Sequence, residues 1–150
     1  MQKFPEIADY LSPEMIVDIE AESKGELFEI MLEKLLESPH VSNKNKLRNA
    51  MYAREQLMST GIGYGIAVPH ARDATVKDFV IVFARCKKGI AYESIDDKPV
   101  HLIFMIAASD KQDKEYIKLL SRIMLKMKNR ELIDRILDAR SNNEIYELLK

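Results

Sequence analysis

The residues best equipped for chemistry crowd into Arg54 to Ala71, where Gly61, Gly63 and Gly65, three of the chain's five glycines, lead into Val68-Pro69-His70. Alternating glycines permit positive φ and close backbone approach, which leaves amide N–H groups free to face an anion. His70 follows an apolar run and a proline of fixed φ, so its imidazole should emerge from a stiff support where a strand meets the surface. A neutral imidazole is nucleophilic near pH 7 and can take a phosphoryl group on nitrogen, in a P–N bond that is readily transferred onward. That transfer needs positioning and charge stabilisation, which an arginine and a cluster of N–H and hydroxyl donors can supply. Arg54, Ser59 and Thr60 are the nearby candidates. A lone histidine after a loop reads as solvent-facing; the surrounding motif reverses that reading.

Other chemistries fit less well. A dinucleotide fold requires a different glycine spacing with a helix straight afterwards, and Pro69 opposes a helix here. There is no Walker lysine motif, so a nucleotide loop is set aside. His101 opens an apolar strand and His40 follows Pro39 at a helix end; both read as structural or solvent-facing, and no metal-site spacing joins them. Cys86 reads as a small core residue. As the single cysteine it forms no internal disulfide. A lone thiol without a signal peptide or long apolar span points to a cytoplasmic chain with no direct membrane insertion. The 23 Lys and Arg against 24 Asp and Glu leave a net charge of −1, which argues against a dedicated nucleic-acid binder.

The elements that must position His70 follow from periodicity and caps. No linker-like stretch or repeat divides the 150 residues, so 1–150 reads as one domain. At this size folding hides roughly 70% of the chain's surface, enough for a core without staples. Met15 to Ile19 is a short strand candidate. Ser23 to Glu26 has capping-box spacing ahead of a helix carrying Leu27, Met31, Leu32 and Leu35, which should stop near Ser38-Pro39. A second helix is expected from Asn43 to about Met58. Phe79 to Cys86 and Val100 to Ala108 read as buried strands. Lys87-Lys88-Gly89 reads as a turn into a short strand, Ile90 to Glu93, making a hairpin. Three helices close the chain: Lys114 to Lys128, one capped by Asn129, and one behind the Ser141 to Glu144 capping box. Helices on both sides of the strands in sequence indicate an α/β domain with helices packed over a mixed sheet.

The run Arg54-Glu55, Ser59-Thr60-Gly61-Ile62-Gly63, then Gly65-Ile66-Ala67-Val68-Pro69-His70, resembles the fructose, mannitol and nitrogen-regulatory branch of enzyme IIA domains of the bacterial phosphoenolpyruvate-dependent sugar phosphotransferase system. The likeness continues through Asp97-Lys98-Pro99-Val100 and Leu102 to Ala108. It implies a mixed β-sheet sandwiched between helices, and a His70 that accepts a phosphoryl group from the phosphocarrier HPr. The group would pass to a histidine or cysteine on a IIB domain for sugar uptake. It further implies that Arg54 stabilises the phosphate, with Ser59, Thr60 and Gly61 as phosphoryl-binding neighbours, and that no metal or other cofactor is needed. An apolar patch around His70 would dock the carrier.

Members of that family commonly carry a second histidine near the start of the helix after the last strand, where this chain has Tyr116. A tyrosine can donate one hydrogen bond to a phosphoryl oxygen but brings no positive charge near neutral pH. Weaker stabilisation of the phosphorylated form, or a regulatory role without rapid throughput, would follow. Three functions therefore compete: a carrier serving a sugar permease, a binding module switched by phosphorylation, and a relic that keeps the motif for structure. Intact Arg54 and His70 oppose the third.

Overall fold

The computed structural model describes residues 5–150. In chain order these form α1 (Ile7–Tyr10), a 3-10 turn (Pro13–Met15), β1 (Ile16–Asp18), α2 (Lys24–Leu35) and α3 (Lys44–Leu57). Three short strands follow, β2 (Gly61–Gly63), β3 (Ile66–Ala67) and β4 (His70–Arg72), then two long ones, β5 (Val80–Ile90) and β6 (Val100–Ala108). The chain ends with α4 (Asp113–Lys126), α5 (Arg130–Asp138) and α6 (Asn142–Leu149). Short polar side chains start the helices as predicted: Ser23, Asn43, Asn129 and Ser141 each accept a hydrogen bond from the backbone N–H three residues on.

The six strands make one mixed sheet ordered β1-β5-β6-β3-β2, with β4 also on β6, beyond β3. β5 and β6 are antiparallel; β1 joins β5, and β3 and β4 join β6, in parallel. Strand alternation divides the core in two. Val80, Val82 and Ala84 of β5 face one layer with Met105 and Ala107 of β6, against Leu27, Met31 and Leu35 of α2 and Leu47 and Met51 of α3. Ile81, Phe83, Phe104 and Ile106 face the other, against Leu119, Ile123, Ile133 and Ile145 of the C-terminal helices. A sheet buried on both faces needs continuous apolar strands, which is why β5 and β6 read so clearly in the sequence.

The predicted hairpin around Lys87-Lys88-Gly89 is corrected. The chain does not reverse there. β5 continues to Ile90 through a register irregularity against β6, and the reversal falls in residues 91–99. Gly89 sits at φ +79°, and a Cβ there would lie 2.9 Å from the Pro99 Cβ and 2.7 Å from the His101 ring. The glycine makes a bulge between neighbouring strands rather than a turn.

Candidate functional site

The site begins with a break in the sheet. β3 pairs with Leu102 and Ile103, and β4 with Ile106 to Ala108. Between them Pro69 has no N–H to offer, though its carbonyl still accepts from the Ile106 N–H, and the Val68 N–H donates to the Thr60 carbonyl at 3.0 Å, extending the β2–β3 pairing by one residue. The Thr60 N–H opposite goes to Glu55, which leaves the Val68 carbonyl to the ring two residues on, and His70 Nδ1 lies 2.6 Å from it. A carbonyl can only accept, so Nδ1 carries the proton and Nε2 keeps its lone pair.

That ring lines an open cavity of about 690 Å³, together with Arg54 and Leu57 of α3, Arg72 of β4, and Asp113 and Tyr116 of α4. Burial pushes the His70 pKa below its ordinary value, and the Arg54 charge adds to this; the Val68 bond and the Glu55 charge oppose it. The neutral form needed for nucleophilic attack is favoured. Arg54 reaches over the end of α3, where one of its N–H groups donates to the Met58 carbonyl at 3.0 Å. The Tyr116 ring sits 5.7 Å from the His70 ring, tilted by 56°. Burial pushes the Tyr116 pKa up to about 12, against the charges of Arg72 and Arg54, so its hydroxyl stays a hydrogen-bond donor. Arg72 lies over the same tyrosine ring, 5.3 Å from Cζ to centroid, and pairs with Asp113.

Of the residues expected to hold a phosphoryl group, His70, Arg54 and Tyr116 meet at this cavity, whereas Ser59, Thr60 and Gly61 stand outside its wall. The Ser59 hydroxyl donates to the Tyr92 carbonyl at 2.9 Å and accepts from the Gly61 N–H. Thr60 is buried; its hydroxyl donates to Glu55 at 2.7 Å and its N–H faces both Glu55 oxygens at 3.1 Å. Gly61 is required by close packing, since a Cβ would fall 2.9 Å from the Ser94 Cα. These groups tie the end of α3 to the sheet and so set the distance between Arg54 and His70.

Glu55, the centre of that clasp, was not among the predicted site residues. It lies buried, 3.6 Å from the Lys24 ammonium, which itself sits 4.4 Å over the Tyr92 ring. A signal for it existed. Leu47, Met51 and Glu55 recur at four-residue spacing on the buried face of α3, and a carboxylate continuing an apolar stripe must have internal partners. Arg72 and Asp113 were also missed, because only the fold brings β4 against the start of α4.

The remaining histidines and the cysteine lie elsewhere. Cys86 is buried in the core, His101 Nδ1 is 3.1 Å from the Cys86 carbonyl, and His40 is exposed. Among the described residues no cluster of three or more His, Cys, Asp or Glu could hold a metal, and no helix is long and apolar enough to cross a membrane.

A mixed sheet between helix layers is an architecture with known members. Residues 10–150 match the family described as phosphoenolpyruvate-dependent sugar phosphotransferase system, EIIA 2. The chain belongs to that family. It is 35% identical over 133 residues to the PTS system fructose-specific EIIABC component of Bacillus subtilis, a match covering 89% of this chain and 21% of the relative. Its fold is similar to that of the nitrogen regulatory protein IIA-Ntr of Neisseria meningitidis, with a TM-score of 0.89 and 31% identity over 96% of this chain and 99% of the other. It is also similar to enzyme IIAMTL, solved in complex with phosphorylated enzyme IIBMTL from Escherichia coli, with a TM-score of 0.78 and 26% identity over 93% and 96% of the two chains.

Proposed function

We propose that His70 accepts a phosphoryl group from an HPr-type phosphocarrier and passes it to a IIB domain of a sugar permease. The observation that carries this reading is the Nδ1–H to Val68 bond, which leaves Nε2 as the nucleophile in an open cavity beside Arg54. In the step, the N–P bond of the donor breaks as the Nε2–P bond forms, and the bonding pair returns to the donor nitrogen. The Nδ1 proton stays on Nδ1, donated to the Val68 carbonyl, throughout. Arg54 and the Tyr116 hydroxyl face the charge that moves across, and oriented donors in a part-dry site act strongly on such charge. Leu57 at 82% exposure, Met58 at 71% and Ile117 at 64% supply the apolar rim for a partner that must bind and leave quickly. The chemistry proceeds without a metal or other cofactor, in the cytoplasm.

Incubation with phosphoenolpyruvate, enzyme I and HPr should add one phosphoryl mass that acid removes, and His70→Ala should abolish it. Labelling that survives in His70→Ala, or no labelling of the natural chain, sinks the reading. A second reading, a regulatory module switched by the same phosphorylation, is favoured by the similarity to IIA-Ntr across nearly the whole of both chains. Rapid transfer to an added IIB domain supports transport; stable phosphohistidine that alters binding to a regulatory partner supports the alternative.

A further inference from the structure

We infer that Arg72 is a second phosphoryl-binding cation, stored on Asp113 until the phosphoryl group arrives. This rests on the reading of His70 as the phosphoryl acceptor. His70 and Arg72 stand two residues apart on β4 and therefore share a face of the strand, and both line the cavity that Arg54 also enters. Tyr116 ties them together, with its ring 5.7 Å from the His70 ring and 5.3 Å from the Arg72 guanidinium carbon.

The partner that holds Arg72 is easily exchanged. The Arg72 and Asp113 side chains are 43% and 65% exposed, and ion pairs this open to water hold weakly. Asp113 also occupies the first turn of α4, whose N-cap Gln112 makes no side-chain cap bond. The helix N–H groups and dipole favour a carboxylate at that place without Arg72. Charge arithmetic gives the exchange its direction. The cavity lining carries Arg54 and Arg72 with Asp110 and Asp113, two positive groups against two negative. A phosphoryl group adds about two more negative charges, and a guanidinium whose flat fork matches its oxygens offsets them. When the Nε2–P bond forms, Arg72 trades a carboxylate oxygen for phosphoryl oxygens; it stays protonated, and no bond of its own breaks.

Potassium phosphoramidate, a small P–N donor, tests this without any carrier. Labelling of His70 in the full chain is followed by intact mass for the natural protein, Arg72→Ala, Arg72→Lys and Asp113→Asn, with thermal melts confirming the fold. Arg72→Ala should slow labelling by roughly 10- to 100-fold. Arg72→Lys, which keeps the charge and loses the fork, should fall between, and Asp113→Asn should label at least as fast as the natural chain. The two halves of one ion pair then act in opposite directions, which a merely structural bridge cannot do. Equal rates for Arg72→Ala and the natural chain, or equal slowing by Arg72→Ala and Asp113→Asn, overturn the inference. HPr-driven labelling run in parallel keeps the two readings apart: phosphoramidate labelling that depends on Arg72, without HPr labelling, removes the carrier role and leaves Arg72 in place.

Discussion

Arg54 and Arg85 carry the same guanidinium and use it in opposite ways. Arg85, 4% exposed on β5, donates from Nε and Nη2 to the two Asp18 oxygens at 2.6 and 2.9 Å. Its Nη1 donates to the carbonyls of Ile136 and Ala139 at 2.8 and 2.7 Å, at the end of α5, where the Ala139 N–H also reaches the Ile136 carbonyl. Every branch of that fork has a partner. Arg54 donates to one carbonyl at the end of α3 and lines an open cavity together with His70. A saturated guanidinium locks elements together, whereas one with fewer partners beside the proposed phosphoryl acceptor is available to an incoming anion. The contrast separates scaffold from site more sharply than burial alone does.

Mutations can break or sharpen this contrast. His70→Ala should remove phosphoryl uptake entirely, with the melting curve little changed; retained uptake would shift the site elsewhere. Arg85→Ala should leave the carbonyls of Ile136 and Ala139 without their shared donor, while Asp18, 57% exposed, returns to water, at a cost of about 1–3 kcal/mol. In a domain of this size that lowers Tm by roughly 2–12 °C. Arg54→Ala should do the reverse, slowing labelling by about 100-fold with Tm held within a few degrees. If both variants lost stability equally, or both lost rate equally, the division of labour would fail.

The smallest expected effect concerns pH. Burial holds the His70 pKa below the ordinary ~6.5, in a setting of Arg54, Arg72, Asp110, Asp113, Glu55 and Tyr116. Between the native value and ~6.5 the unfolded chain binds more protons, so stability rises with pH through that window and falls on acidification. The rate of phosphoryl acceptance should therefore persist below pH 6.5, further than for an exposed imidazole. A half-rate point above 6.5 would contradict the direction of the shift.

Much of this was legible in the sequence wherever the cause is local. The caps at Ser23, Asn43, Asn129 and Ser141 work within one helical turn, and the doubly buried β5 and β6 announce themselves through the apolar runs Phe79 to Ala84 and Leu102 to Ala108. That His70 and Arg54 would meet at one place was legible because the motif around them is dense. Lys87-Lys88-Gly89 misled because a bulge and a turn require the same glycine, and only the neighbouring strand tells them apart. Ser59 and Thr60 were assigned to the phosphoryl group for want of knowing that Glu55 and the Tyr92 carbonyl already held their hydroxyls. Arg72 and Asp113 stand 41 residues apart and meet only through the parallel pairing of β4 with β6. Long-range partners of this kind leave no trace in spacing.

The interruption at Pro69 has a chemical corollary. Two isomers of phosphohistidine exist, one for each ring nitrogen, and on the proposed reading of His70 the Val68 carbonyl holds one of those nitrogens. With Nδ1 anchored to Val68, the regiochemistry expected is substitution at Nε2 alone. In the proposed transfer, a backbone carbonyl that carries no chemistry of its own would thus select which constitutional isomer forms.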